Sequence, residues 1–393
     1  MKFNKWTVGL AAIGVVSLAS AARADEKMSQ LQTALSNTTI SGYVDTAAQW
    51  NPGTDNVPRT GGPNLPTYSF AKNDGFTLNA IDIALDHPED ESPWAAGYHV
   101  ELMAGPNAVP NVDGLAGGLG IRQAYLSLRT PVGNSGIDWK VGVWDTIIGY
   151  ESSSDPANPN YTRSYGYSIE PTTHTGVLGT YKVNDNISVQ AGVADSSNVG
   201  VGPSPINGTA AFETQKAYLG GVALTAPSSW GWASGATLNA GVIDAVDSHS
   251  HFGTGRDSKT SYYVGATVPT PITALKAGLS YDYLDMHNGQ GEAWVVGGYA
   301  SYQVNDKTSF NVRGEYGNDD TGLLYTSPGT NPRDTFEEFT ATLQYNLWAN
   351  VLSRVEVRWD HAEHGTPFGD SNASGGPVKN NDFLVALNLI YQF

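Results

Sequence analysis

Few residues of this 393-residue chain have the types and spacing that bond-making chemistry requires. It contains no G-x-S-x-G nucleophile elbow, no G-x-x-x-x-G-K-S/T phosphate loop and no H-E-x-x-H zinc helix. His249 with His251, and His361 with His364, could each bring two imidazoles together, but both pairs fall in predicted polar loops, where histidines are mostly solvated. We therefore predict no enzyme, no metal site and no cofactor.

A second set of residues carries charges that could act on passing ions without bond chemistry. The segment 150–173 combines stiffening prolines and bulky tyrosines with three acids, Glu151, Asp155 and Glu170. Five basic side chains have a strand phase that would point them at this loop: Arg122, Lys140, Arg313, Arg354 and Arg358. Opposed charges across a narrow gap would orient polar solutes. In the alternative, the arginines pair with wall carboxylates such as Glu315 and Glu356, and the loop covers the outer mouth.

The segments that must position these residues alternate apolar and polar side chains with a period of two, which indicates β-strands. Sixteen such segments follow residue 38, and the second shifts phase between Leu78 and Ile81, which predicts a bulge. A turn predicted at 226–230 leads into a strand at 230–243. Short turns alternate with long polar loops at 51–74, 105–119, 150–173, 196–212, 244–259, 317–334 and 361–380. This rhythm favours an all-β, transmembrane, antiparallel up-and-down β-barrel of about 16 strands over a soluble sandwich.

The first residues have the features of a secretion signal. Lys2 and Lys5 give it a positive start, and an apolar stretch follows at Trp6–Leu18. Small residues then form a cleavage pattern at Ala22-Arg23-Ala24. We expect residues 1–24 to be removed, so that Asp25 begins the mature chain, with a cut after Ala21 as the alternative.

Two parts remain after cleavage. Residues 25–38 form a short periplasmic or lumenal segment, predicted as a short helix because apolar residues recur at helical spacing, at Met28, Leu31 and Leu35. Residues 39–393 form the barrel.

The composition suits an exported barrel. The chain has 45 Gly, 20 Tyr, 10 Trp and no Cys; glycine eases strand curvature and aromatic residues line membrane interfaces. Its net charge is −17, and because the signal carries three positive residues the mature chain has −20. Such a charge disfavours nucleic acid as a partner, and a pore lined in this way would attract cations.

Several stretches resemble a known family: Asn37–Asp45, Gln123–Leu128, Val141–Glu151, Tyr161–Tyr165 and Ile169–Val177. In these stretches the chain is similar to the OmpL-like β-barrel porins of Gram-negative bacteria, most specifically over 120–177. The resemblance implies a channel in the bacterial outer membrane. It implies no particular catalytic or binding residue.

The C-terminus has the pattern of an assembly signal. Apolar residues alternate up to a terminal aromatic one, at Leu389, Tyr391 and Phe393. The last strand would offer an edge to the barrel assembly machinery before it closes the barrel.

Together these features predict a porin for passive diffusion of small hydrophilic solutes or ions, with a possible preference for cations. The outer-membrane lipid would surround it, and similarity to other barrels of this size suggests a homotrimer. The alternative is a structural or partner-binding outer-membrane barrel with a blocked lumen. A barrel enzyme is a more distant alternative.

Overall fold

A computed structural model of the chain describes residues 37–52, 74–108, 119–133, 135–195, 202–203, 215–246, 258–287, 289–324, 334–364, 367–368 and 379–393. The predicted signal peptide lies outside these ranges. Of the segment 25–38, where a helix is predicted, only residues 37 and 38 are described. None of the helices in the described ranges is long and apolar enough to cross a membrane.

The described residues form one sheet of sixteen long antiparallel strands, to which a two-residue strand, β8, adds by parallel pairing with β6. The strands are β1 (Thr39–Trp50), β2 (Gly75–His87), β3 (Ala96–Ala104), β4 (Leu119–Thr130), β5 (Ile137–Asp145), β6 (Pro171–Asn184), β7 (Ile187–Asp195), β8 (Gly202–Pro203), β9 (Lys216–Thr225), β10 (Thr237–Val246), β11 (Lys259–Pro269), β12 (Leu275–Met286), β13 (Glu292–Asn305), β14 (Thr308–Asp319), β15 (Asp334–Trp348), β16 (Val351–Ala362) and β17 (Asn381–Gln392).

The sheet closes on itself. Long strands that are neighbours in sequence pair with each other, and β17 pairs with β1 over the register Tyr43↔Gln392 to Trp50↔Val385. The terminal residue takes part, since Gly42 N–H donates to the Phe393 carbonyl at 3.1 Å and Phe393 N–H donates to the Gly42 carbonyl at 3.0 Å. A closed barrel leaves no unpaired edge, which is the condition for strands to cross a bilayer. The predicted sixteen-strand barrel is confirmed.

The strands turn their apolar side chains outward and their polar side chains inward. On β17 the outward residues are large and exposed, namely Phe383, Val385, Leu387, Leu389 and Tyr391. On β16, Arg354, Glu356 and Arg358 are buried while Val355 and Val357 are exposed. A protein in water would reverse this arrangement, so the exposed apolar band indicates a lipid-facing surface.

Exposed tryptophans lie near strand ends, where an interfacial girdle is expected. They are Trp50, Trp94, Trp230, Trp232 and Trp348.

Short turns join the strands at one end of the barrel. β6 and β7, β13 and β14, and β15 and β16 are each linked by two residues. In the last of these turns Asn350 has φ 66°, the left-handed conformation that tight hairpin turns require.

The turn between β9 and β10 corrects one prediction. The strand expected from residue 230 begins instead at Thr237, because residues Ser228–Ala233 form a 3₁₀ helix. Pro227, which precedes this helix, has no N–H to donate to a strand ladder, and Gly231 within the helix has φ 63°, which a strand does not adopt.

The second strand shows the predicted change of phase. Asn79 and Ala80 are consecutive and both buried, whereas Ile81 and Ile83 beyond them point outward.

Candidate functional site

The connection between β5 and β6 lies inside the barrel. It contains a 3₁₀ helix at Asp155–Ala157 and a short α-helix, α1, at Tyr165–Ile169. We call residues 146–170 the inner loop; most of its side chains from Ser153 onward are buried.

Local hydrogen bonds shape the inner loop. Asn158 accepts from Ser152 N–H at 2.8 Å and donates to the carbonyls of Ser152 and Ser154, each at 2.8 Å, which fixes a compact turn. The hydroxyl of Ser164 caps α1 by accepting from Tyr167 N–H at 3.0 Å. These capping and turn residues can be recognised in the sequence, although the path of the loop cannot.

Arg313 on β14 joins the wall to the inner loop. Its Nη1 donates to Glu151 Oε1 at 2.7 Å and to the Thr162 carbonyl at 2.8 Å, and its Nη2 donates to the Arg163 carbonyl at 3.2 Å. Its Nε donates to Glu338 on β15 at 3.1 Å. The side chains of Arg313 and Glu151 are 0% and 1% exposed, so this ion pair is removed from water.

Two arginines of β16 bind the inner loop through its backbone. Arg358 Nη1 donates to the Arg163 carbonyl at 2.6 Å. Arg354 donates to the Asp155 carbonyl at 3.2 Å and to the Asn158 carbonyl. Three of the five predicted basic residues therefore contact the inner loop directly.

Wall carboxylates accept from backbone N–H groups of the inner loop. Glu315 accepts from Tyr165 N–H at 2.8 Å and Gly166 N–H at 3.1 Å. Glu356 accepts from Thr162 N–H at 2.9 Å. From the sequence, both carboxylates were expected only as partners for wall arginines. Strand alternation predicts that they point inward, but it does not predict that they accept hydrogen bonds from the inner loop.

Helix α1 also packs against apolar residues at the loop-bearing end of the barrel. Tyr165 and Ile169 join a buried cluster that includes Leu284 on β12 and Phe336 on β15. The rings of Tyr165 and Phe336 are 4.4 Å apart between centroids. The inner loop is thus held by an ion pair to the wall, by hydrogen bonds and by apolar packing.

The other two predicted acids have partners that the sequence did not foresee. Asp155 pairs with Arg163 of the same loop at 2.8 Å and accepts from Asn107 at 2.9 Å. The only hint of this pair in the sequence is that Arg163 is a basic residue between the acids Asp155 and Glu170 of the same loop.

Glu170 lies at the end of the inner loop, beside Asp282 on β12. Burial, followed by the nearby Asp282 carboxylate, raises the pKa of Glu170 well above its usual range. Gly149 leaves the room for this side chain, because a Cβ there would collide with Glu170 Oε2; its φ of 111° also favours glycine.

Arg122 and Lys140 belong to a different part of the wall. Arg122 on β4 binds Glu101 on β3 and lies 2.5 Å from Asp145 at the end of β5. Lys140 lies over the ring of Tyr125, 4.6 Å from its centroid. In the described residues neither side chain forms a hydrogen bond or an ion pair with the three predicted loop acids, so the five basic residues form two separate groups.

Acidic side chains outnumber basic ones among the buried residues. Among the described residues, thirteen carboxylates are buried against five arginines. The carboxylates are Asp45, Asp82, Glu101, Glu151, Asp155, Glu170, Asp282, Glu315, Asp319, Glu338, Glu356, Asp360 and Asp382.

The remaining predicted residues are placed as follows. Leu389, Tyr391 and Phe393 are exposed on the outer surface of the closing strand and at its end. Their role in assembly stays a prediction.

The predicted histidine pairs are only partly described. His361 lies at the end of β16, where its Nδ1 is 3.0 Å from Asn381 Oδ1, whereas His249 and His251 lie outside the described residues. No group of three or more metal-binding side chains occurs in the described part of the chain.

Comparison with known proteins places this architecture in a family. A model of the family described as "Putative beta-barrel porin-2, OmpL-like" matches residues 37–393. Among curated proteins, none matches the sequence significantly.

Solved structures share the fold at low identity. OmpT of Vibrio cholerae is 14% identical, with 91% of this chain and 97% of that chain covered and a TM-score of 0.55. The outer-membrane channel DcaP of Acinetobacter baumannii is 12% identical, with 91% and 97% covered and a TM-score of 0.58. The anion-selective porin of Comamonas acidovorans is 12% identical, with 91% and 99% covered and a TM-score of 0.59. With a family match over nearly the whole chain, the protein belongs to the OmpL-like β-barrel porin-2 family and is an outer-membrane barrel.

Proposed function

We propose that this porin lets small hydrophilic solutes and ions diffuse passively and that it prefers cations. The observation that carries the preference is the excess of buried acidic side chains over arginines in the described residues, which is thirteen against five, or twelve against five without Glu170, whose raised pKa favours its neutral form. Selectivity in such a pore depends on its width and on the charge of its wall. A wall with excess negative charge concentrates cations and repels anions.

We further propose that the inner loop sets the width of the pore. The support is its position across the interior, with hydrogen bonds to residues on β14, β15 and β16. Because Arg313 and Glu151 are in direct contact, no aqueous gap separates this pair of opposite charges. The loop therefore acts mainly by occupying space, and the excess carboxylates determine the sign of the preferred ion.

Planar-bilayer recording tests the proposal. Purified protein should give stepwise channels, and the reversal potential in a KCl gradient should have the sign of a cation-preferring pore. A reversal potential of the opposite sign would contradict the cation preference and leave the porin role intact.

The alternative function is a structural or partner-binding barrel with a blocked lumen. The observation that favours it is the dense interior, where Tyr165 and Ile169 of the inner loop pack among buried apolar wall residues. Correctly folded protein that never opens in the bilayer would support this alternative.

We also propose that the protein forms a homotrimer and that β17 carries the signal for the barrel assembly machinery. The support for a trimer is by analogy, since OmpT of Vibrio cholerae, which has the same fold, was solved in a trimer form. Light scattering of the detergent-solubilised protein, corrected for bound detergent, should give three chains per particle. A single chain per particle would contradict the trimer.

A further inference from the structure

A cavity of about 430 Å³ lies between the inner loop and the inward faces of β10, β11, β13, β14 and β15. Its volume falls in the range of about 300–1,000 Å³ that is typical of small-molecule sites. Several of its wall residues, including Asn239, Thr267, Ser301 and Ser309, lie close to the short turns. In outer-membrane barrels those turns face the periplasm, so a solute from outside reaches this chamber after it passes the inner loop.

The chemistry of the chamber differs from that of the rest of the interior. None of the described residues that line it carries a charge, although charged arginines and carboxylates bind the same loop nearby. Its polar groups are hydroxyls and carboxamides, from Asn239, Thr267, Ser301, Asn311 and Gln344.

Several of these groups keep hydrogen-bonding capacity for a solute. Asn311 donates to the Pro159 carbonyl at 3.1 Å, which leaves its Oδ1 as an acceptor. Gln344 accepts from Arg354 at 3.4 Å with its Oε1, which leaves its NH₂ group as a donor. Asn239 is exposed and points inward, opposite Gly265 of β11.

Two aromatic rings complete the chamber, and glycines make room for them. Tyr150 stacks on Tyr299 at 4.0 Å between centroids and hydrogen-bonds Thr267 at 3.0 Å, which fixes its orientation. A Cβ at Gly278 would collide with the Tyr150 hydroxyl, and a Cβ at Gly265 would collide with the hydroxyl of Tyr263, the second ring of the chamber. Rigid aromatic faces offer apolar contact to the C–H faces of a solute.

We propose that this chamber binds uncharged, hydroxyl-rich solutes of about monosaccharide size. A charged solute would lose hydration there without gaining an opposite charge, whereas the hydroxyls of a neutral solute exchange water for carboxamide and hydroxyl partners. The inference deepens the proposed function, because it names the solute class of the same pore.

The test is a titration of the single-channel current with glucose. Glucose should block the KCl current of the wild-type protein in a saturable manner, and the charged analogues gluconate and glucosamine should block it more weakly. Asn239→Asp, which puts a charge in the chamber, and Asn239→Leu, which removes hydrogen bonds, should each raise the half-blocking glucose concentration by about threefold to tenfold.

Gln190→Glu is the matched control. Gln190 also points inward, on β7, but is not among the residues that line the chamber. This variant should keep the wild-type glucose block, and the difference in heat-dependent gel migration between boiled and unboiled protein checks that each variant is folded. If one Asn239 variant fails to fold, the other still decides the test.

The outcomes separate the two proposals. Open channels on which glucose has no saturable effect, or on which both Asn239 variants behave like wild type, overturn this inference and leave the porin intact. An equal loss of block in Gln190→Glu also overturns it, because the effect would then come from wall charge in general. Folded protein without any channels overturns the porin and this inference together.

Discussion

Arg313 provides the sharpest test of how the inner loop is held. Its guanidinium makes four hydrogen bonds to the loop: to Glu151 at 2.7 Å, to the carbonyl and the hydroxyl of Thr162 at 2.8 and 3.2 Å, and to the Arg163 carbonyl at 3.2 Å. Arg313→Gln keeps a neutral polar group but cannot reach all of these partners. Glu151 would then stay buried without a counter-charge, whereas Glu338 on the neighbouring strand would keep Arg358 at 3.7 Å.

Breaking a buried ion pair by removing one partner costs about 3–5 kcal/mol. Because the barrel strands keep their own backbone ladders, we expect this cost to appear mainly as release of the inner loop. A change of about 1.4 kcal/mol alters an equilibrium tenfold, so the population of the released state should rise by about two to three and a half orders of magnitude.

Chemical labelling measures this population directly. The chain contains no cysteine, and the buried Ser153 of the inner loop offers a position for a single thiol as Ser153→Cys. In this background, Arg313→Gln should speed maleimide labelling by about two to three and a half orders of magnitude and should add conductance levels above the wild-type level.

Arg129→Gln is the matched control for Arg313→Gln. Arg129 pairs with Asp138 at 2.9 Å, but these side chains are 20% and 42% exposed, and exposed pairs contribute about 0–1 kcal/mol. This variant should change neither labelling nor conductance. If Arg313→Gln folds and labels at the parental rate, the reasoning about the buried pair is wrong.

Three further predictions follow from the same contacts. Replacing the loop acids together, as Glu151→Gln, Asp155→Asn and Glu170→Gln, should shift the reversal potential in a KCl gradient away from cations through the charges of Glu151 and Asp155, since Glu170 already holds its proton; an unchanged potential would place the selectivity elsewhere. Deleting Phe393, whose backbone closes the barrel against Gly42, should reduce the outer-membrane yield several-fold while signal cleavage continues, as immunoblots of membrane fractions would show. The pKa of Glu170 is raised in the folded protein, so between about pH 4.3 and that raised pKa the folded protein keeps the Glu170 proton while the unfolded chain has released it. The free energy of unfolding should therefore fall as the pH rises through this range. Thermal denaturation in detergent should show this fall in wild type and a smaller one in Glu170→Gln.

The barrel itself was predictable because its signal is local. The alternation on β16 and β17 places Arg354, Glu356 and Arg358 on one face and Val355 and Val357 on the other, whatever the strand pairs with. Errors arose where a connection has its own structure, as in the 3₁₀ helix Ser228–Ala233 that delays β10. Apolar residues such as Trp230 and Trp232 in that helix look like the start of a strand.

The partners inside the barrel were not predictable in the same way. Strand phase shows that Arg122 and Arg313 both point inward, but it does not say which of them the inner loop reaches. The path of the loop decides this, and the path depends on contacts far apart in sequence, such as Glu151 with Arg313, separated by 162 residues. The sequence therefore identified inward-facing charges but could not assign their pairs.

The direction of dependence between wall and loop follows from these contacts. The charged wall side chains that bind the backbone of the inner loop lie on β14 and β16, and their inward arrangement is set by strand pairing alone. Several backbone N–H and C=O groups of the loop, at residues 162 to 166, find their partners in Arg313, Glu315 and Glu356. Without the closed barrel these groups would have only water as a partner, so the loop cannot hold this conformation before β14, β15 and β16 are assembled. A barrel without the loop would instead leave Arg313 and the wall carboxylates facing an aqueous lumen, where they can be hydrated. We therefore expect the inner loop to dock last and to be the least stable part of the interior, which makes it the natural place for the pore to change its width.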